Sequence, residues 1–197
     1  YTLDAEVSVT GEGYNPNGIF IKEKQEIDPR KHKTISKLIE IGILCNNSDI
    51  TKKEADWQVD GESTEGALIV LANKAGIQKS YYHKEFPKLH EHPFDPERKC
   101  MTTIHLYKNK RIAFSKGAPE YILKKSKFYF YQGKEKRINE KIIQKIESKV
   151  EEYASHGKRV LALAYKEHRG NAFELKEVEK ELVFVGLVAM RDPPAEG

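Results

Sequence analysis

"HPFDPERKCMTTIHLYKNKRIAFSKG", His92 to Gly117, holds two apolar-rich runs separated by a turn at Lys108–Lys110. Two such runs around a tight turn read as an antiparallel hairpin. A hairpin in the middle of the chain argues for α+β organisation and against alternating βαβ units. The elements on either side agree. "EVSVTGEGYNPNGIFI" pairs two short strand-like runs around a Gly/Asn/Pro cluster. From Pro29 to Cys45 the spacing turns helical, with Leu38, Ile41, Gly42 and Cys45 on one face. "DGESTEGALIVLANKAG" reads as a second helix, capped by Ser63, with Glu65 in its first turn and Leu68, Leu71, Ala72 and Ala75 inward.

Beyond the hairpin, Pro119 to Lys125 reads as a short helix and "KFYFYQG" as an aromatic strand. Asn139 opens an amphipathic helix with Ile143, Ile146, Val150 and Tyr153 inward, ending near Gly157. "RVLALAYKEH" and "ELVFVGLVAMR" are two further strands, and "DPP" stops regular structure. The expected fold is α+β: a twisted, mainly antiparallel sheet flanked by helices.

The bulk numbers suit a packed globular domain. The chain has 197 residues, 39% hydrophobic and 32% charged, with a net charge of +4. Acids and bases are interspersed, which argues against a dedicated nucleic-acid binder and leaves room for a local anion site. The longest apolar run, Leu182–Met190, is too short to span a bilayer. No secretory signal is apparent at the start, and the two cysteines, Cys45 and Cys100, form neither a CxxC pair nor a disulfide framework. A reducing, cytosolic setting is the simplest expectation.

The residues carry no visible reaction centre. There is no GxxxxGK[ST] phosphate loop, GxSxG elbow or HExxH. His90 and His92 alternate on an extended segment, but no further ligands complete a metal site, and solvated loop histidines are the plainer reading. Binding features are more suggestive. Asp95-Pro96-Glu97-Arg98 has the residues of a type I turn, which can bring the Phe94 ring and the Lys99 ammonium to one site. A ring beside a cation suits a nucleotide base and its phosphates. Spacing alone favours the plainer alternative, a core Phe94 and a solvated Lys99.

In "SKGAPE", Lys116 lies at the mouth of a helix, where the macrodipole is least welcoming to a cation, so a negative group is expected nearby. Arg159, where the chain enters a strand, can fork onto phosphate or simply cap the preceding helix. Glu65 can accept from an exocyclic amine or serve only as a first-turn acid. "KKSKFYFYQGKEKR" interleaves aromatics and bases, which leaves open a nucleic-acid-binding module. A hairpin strand with one buried aromatic face is the plainer account of that stretch.

Taken in order, "GESTEGAL", "PFDPERKCM", "FSKGAPEYIL", "GKRVLALAY" and "FVGLVAMRDPP" resemble the nucleotide-binding (N) domain of P-type cation-transporting ATPases, in the calcium-pump and sodium-pump branch. "GEGYNPNG" near the start also matches that branch, so the resemblance covers nearly the whole chain, residues 1–197. It implies strands and a linker from the phosphorylation domain over about residues 1–28. It also implies a hinge back to that domain over about residues 190–197, marked by Asp192, Pro193 and Pro194.

The resemblance implies ATP as ligand, with magnesium on the nucleotide in the full-length enzyme. Phe94 would stack on adenine, Glu65 would bond its edge with Thr64 adjacent, and Lys116 would line the base pocket. Gly117 and Ala118 would allow close approach, Lys99 and Arg159 would meet sugar and phosphates, and Leu161 would close the apolar wall. Pro96 stands where calcium-pump relatives often have a phosphate-contacting arginine, and Arg98 is the expected substitute. Ala195 stands where the family usually has arginine.

DKTGT, TGES and GDGxND are absent, so no catalytic residue is expected here. The resemblance implies a cytoplasmic domain of an integral membrane protein that binds ATP without turnover. Its partners would be the phosphorylation and actuator domains of the same chain, with no nucleic acid and no direct membrane contact. A stand-alone ATP-binding regulatory domain is the alternative.

Overall fold

The computed structural model describes residues 1–192. The expected hairpin forms the middle of the molecule. β7 (Cys100–Tyr107) and β8 (Lys110–Gly117) pair antiparallel, with Tyr107 opposite Lys110. Lys108 and Asn109 both take positive φ, 47° and 63°, the two-residue turn whose twist matches that of the strands.

Seven strands make the main sheet, in the order β10 (Lys134–Arg137), β9 (Ser126–Tyr131), β12 (Leu182–Met190), β11 (Arg159–His168), β8, β7 and β6 (Lys88–Asp95). Neighbours are antiparallel except β12 and β9, which run parallel. The α+β expectation holds. A small three-stranded sheet, β1 (Ser8–Val9), β2 (Phe20–Lys22) and β3 (Gln25–Ile27), precedes it.

Helices cover both faces of the main sheet, and the alternation along β11 shows why. Leu163 and Tyr165 join one core with Ile35, Leu38 and Ile41 of α1 (Lys33–Leu44) and Ile69 and Ala72 of α2 (Ser63–Lys74). Ala162 and Ala164 point the other way, into a core with Ile122 of α4 (Pro119–Lys125) and Ile142 and Ile146 of α5 (Glu140–Ser155). β12, with helices on both sides, is apolar at nearly every position, as doubly covered strands are.

Several local readings are corrected. The N-cap of α2 is Glu62 and not Ser63: its carboxylate accepts from the Thr64 and Glu65 amides at 3.0 and 2.9 Å. A turn of 3₁₀ helix at Pro29–Lys31 precedes α1, which His32 caps. Ile142 and Ile146 are the buried residues of α5, while Ile143, Val150 and Tyr153 are only partly covered; the helix is rotated relative to the expected stripe. The aromatic strand buries part of both faces: Phe128 and Phe130 pack on the α1–α2 core and Tyr129 on the other.

Two hairpin strands, β4 (Asp49–Lys53) and β5 (Asp56–Asp60), and a helix, α3 (Lys79–Glu85), went unanticipated. The β4–β5 turn uses Glu54 at φ 55°, without the Gly or Asn that advertises a turn. A last short helix, α6 (Leu175–Val178), precedes β12.

His105 of β7 is fully buried. Nδ1–H donates to the Phe86 carbonyl at 2.8 Å, and Nε2 accepts from the Thr103 hydroxyl at 2.9 Å, so the neutral ring is fully bonded. Burial pushes its pKa down to about 4. From the ordinary value near 6.5, the unfolded chain takes up a proton there that the folded chain refuses, so stability falls as pH drops through that window. Between pH 7 and pH 5 this amounts to about 2 kcal/mol. Urea midpoints should fall over that range in the natural chain, and the fall should be shallower in His105→Gln. Equal slopes would refute the assignment.

Candidate nucleotide site

Lys116 decides the geometry of the site. It is the penultimate residue of β8, not part of a helix, and its side chain runs inward between sheet and helices, leaving it 7% exposed. Its ammonium donates to the Cys45 carbonyl and, at 2.5 Å, to Oε2 of Glu65, with Met101 Sδ at 3.5 Å. The negative group expected near this lysine is thus a side chain of α2. The helix-mouth explanation is replaced by a buried ion pair.

Glu65 is held from several directions. Ser48 donates to Oε1 at 3.1 Å, the Asn47 amide donates to Oε2 at 3.0 Å, and the Asn46 side chain bonds the Glu65 carbonyl at 2.9 Å. Asn47 also bridges to Glu91, which Lys88 holds at 2.8 Å. The sequence reading missed this Asn46-Asn47-Ser48 segment and Glu91. The signal was a run of small polar side chains directly after a helix end, a composition suited to bonding backbone locally.

Thr64, one residue before Glu65, accepts from Arg159 at 2.7 Å. Arg159 opens β11 and also pairs with Asp192 at 3.1 Å. Leu161, two residues along β11, packs on the α1–α2 core. Thr64, Glu65, Lys116, Arg159 and Leu161 therefore line one end of that face. Of the residues assigned to the hinge, Asp192 is at this end; Pro193, Pro194 and Ala195 lie outside the described residues.

The Phe94–Lys99 turn hangs beside this group. Phe94 is 58% exposed, so the core alternative for it is overturned. The pairing of β6 with β7 shifts register between His92 and Asp95, which breaks strict alternation and frees the ring from the core pattern. The Asp95 carboxylate accepts from the Glu97 amide at 2.9 Å, and Lys99 closes the turn at φ 55°. Lys99 is exposed, and its carbonyl accepts from the Ala118 amide at 2.9 Å.

Gly117 makes that approach possible: a Cβ there would lie 2.3 Å from the Lys99 oxygen. Arg98 is not brought to the group. It turns under the sheet to Glu179, at 3.0 Å from Nε. His90 stacks on the Phe173 ring, and His92 donates from Nε2 to the Phe173 carbonyl; among the described residues no cluster of three or more His, Cys, Asp or Glu side chains is gathered for a metal.

A buried Lys–Glu pair, a neighbouring arginine and an exposed aromatic at one end of a sheet form an arrangement suited to a purine and its phosphates. Residues 34–197 match the family described as P-type ATPase, cytoplasmic domain N. The chain belongs to that family. This N domain is 34% identical over 188 residues to a calcium-transporting ATPase of Bacillus subtilis, which covers 94% of this chain and 21% of that protein. It is 37% identical over 161 residues to calcium-transporting ATPase lmo0841 of Listeria monocytogenes, covering 81% of the chain and 18% of the relative.

A calcium-transporting ATPase type 2C member 1 of Bos taurus is 33% identical over 205 residues, 100% of this chain and 20% of its own. The N domain thus spans about a fifth of the length of the relatives it matches. No helix among the described residues is long and apolar enough to cross a membrane.

Replacing Gly117 with alanine should force the Lys99 turn away from β8 and break the Ala118–Lys99 bond. We expect a loss of about 1–3 kcal/mol, the range for overpacking, read from urea unfolding. An unchanged midpoint would show that the approach is not tight in solution.

Proposed function

We propose that this N domain binds ATP by its adenine and presents the γ-phosphate to an aspartate on a separate domain of a P-type cation pump. The observation that supports this most is the exposed Phe94 ring on β6, two strands across the sheet from Lys116 and its ion pair with Glu65. Register puts β6 two strands from β8, about 10 Å, a span a purine and its stacking distance fill. Phe94 stacks on the base, Glu65 uses a remaining lone pair on the exocyclic amine, and Lys116 lines the pocket floor. Thr64, Gly117, Ala118 and Leu161 shape its walls. Lys99 and Arg159, both cations at the rim, meet the sugar and phosphates.

Magnesium, carried on the triphosphate, supplies charge neutralisation in the full-length enzyme. This chain's own work is positioning, which is most of what phosphoryl transfer asks of a protein. The actuator and phosphorylation domains of the same chain are its partners, and residues 1–28 and 190–197 are its connections to the latter. On this reading the domain alone holds nucleotide and turns none over.

One base stack contributes about 1–3 kcal/mol, and a charged hydrogen bond about 1.5–3. Set against association entropy in so open a site, dissociation constants of roughly high micromolar to millimolar follow. The nucleic-acid alternative is disfavoured because Phe128, Tyr129 and Phe130 are engaged in packing on both faces of their strand.

Phe94→Ala should weaken ATP binding about tenfold by calorimetric or NMR titration, and Phe94→Trp should largely retain it. An affinity unaffected by Phe94→Ala would remove the ring from the site. Steeply salt-dependent binding of oligonucleotides, without saturable ATP binding, would restore the other reading.

A further inference from the structure

Behind the candidate site, on the opposite face of the sheet, lies a second buried charge centre. The Glu179 carboxylate, between α6 and β12, is 1% exposed, and the Arg98 side chain that meets it is 11% exposed. Arg98 Nε donates to both carboxylate oxygens, at 3.1 and 3.0 Å. Thr102 donates to Oε1 at 2.7 Å and in turn accepts from Ser115 at 2.7 Å. Tyr121 of α4 donates to Oε2 at 2.6 Å. Burial, then this hydrogen bond, pushes the Tyr121 phenol well up, so it keeps its proton and remains a donor.

The position of this centre gives it meaning. Thr102 and Ser115 are opposite each other in the β7–β8 pair, one step from the Met101–Lys116 pair. Adjacent strand residues face opposite ways, so the Glu179 cluster lies directly behind the floor of the site. Arg98 belongs to the turn between Phe94 and Lys99, and its guanidinium also reaches back to the Pro93 carbonyl at 3.3 Å. The turn is therefore pinned at two points: by Arg98 beneath the sheet, and by the Lys99 carbonyl on the Ala118 amide.

The Phe94 ring is largely exposed, so the backbone that carries it has a large share in fixing its position. A carboxylate this buried is stable only with its donors in place, and removing one side of such a pair leaves the other charge unpaired.

We propose that Glu179 is a positioning residue for the nucleotide: by clamping Arg98 from behind the sheet, it sets the turn that carries Phe94 and Lys99. Arg98 then serves as a strut for the ring and not as a phosphate ligand. The inference rests on the ATP-binding reading above and deepens it. Its cause is geometric preorganisation, the second layer of contacts that holds a binding group at its working position.

The test uses the 197-residue chain and two ligands, ATP and adenosine, titrated by NMR at a temperature where circular dichroism shows each variant fully folded. Adenosine has no phosphate, so a direct phosphate contact by Arg98 cannot affect it. Glu179→Gln keeps the shape and removes the charge. It should weaken both ligands about fivefold or more and shift the Phe94 ring resonances. A lowered melting temperature with both affinities within twofold of the natural chain overturns the proposal, because a purely structural role moves only the first. A loss confined to ATP overturns it as well, since the ring would then be unaffected.

Should Glu179→Gln not fold, Arg98→Lys keeps a cation but loses the guanidinium fork. A fivefold loss of adenosine affinity in that variant supports the clamp, and unchanged adenosine affinity refutes it. If the natural chain binds neither ligand, the ATP-binding reading itself fails; if it binds both and the variants do too, only the clamp fails.

Discussion

A lysine ammonium buried between a sheet and two helices must be matched by acceptors, because stripping its water costs several kcal/mol. Lys116 meets that demand with the Cys45 carbonyl and the Glu65 carboxylate, and the arrangement of neighbouring elements follows. The Cys45 carbonyl is free because α1 ends there. Glu65 is aimed inward because α2 starts at a carboxylate cap, Glu62, anchored in turn on Ser48. The Asn46–Ser48 segment then supplies two more donors to the Glu65 carboxylate, from the Asn47 amide and the Ser48 hydroxyl, and a third bond to its main-chain carbonyl. One buried cation thus fixes the end of one helix, the start of another and the segment that joins α1 to β4.

The close fit of α2 has its own requirement. A Cβ at Gly66 would come 2.3 Å from a methyl of Val59 on β5, so the helix lies directly on that hairpin at a residue with no side chain. This contact holds Thr64 and Glu65 at the edge of the sheet, one turn from solvent. On the other face, the Glu179 cluster does for the Phe94 turn what Ser48 and Asn47 do for Glu65. Met101 and Lys116 look toward the Glu65 side of β7 and β8, and Thr102 and Ser115 look toward Glu179.

Where local chemistry decided structure, the sequence was readable. Lys108–Lys110 announced a hairpin turn, which closes on Lys108 and Asn109; Asn139 announced a helix cap and Pro119 a helix start, and both stand where expected. Where distant contacts decided, it was not. Glu62 displaces Ser63 as a cap because Ser48, fourteen residues upstream, orients it. Ile142 displaces Ile143 in the core because α4 and β11 determine which side of α5 is covered.

Phe94 was ambiguous because a register shift on an edge strand defeats the period-two rule that would have assigned it to the core. Lys116 was legible as a cation in need of a partner, but nothing near it in sequence named Glu65, 51 positions away. Arg98 was read as a substitute phosphate contact, since its partner, Glu179, is 81 positions distant and nothing in the turn named it.

β12 is the seventh strand to enter the main sheet in chain order, yet it occupies a slot between β9 and β11. Until it arrives, the sheet exists as two pieces: the β9–β10 hairpin, and the four strands β11, β8, β7 and β6. Each piece then has an open edge with unpaired amides and carbonyls. During synthesis, nearly the whole domain must leave the ribosome before those edges can close, because Leu182–Met190 is the segment that seals them. The domain's assembly is therefore governed by its last strand, and a chain interrupted before Leu182 carries two sticky half-sheets where the finished molecule has one.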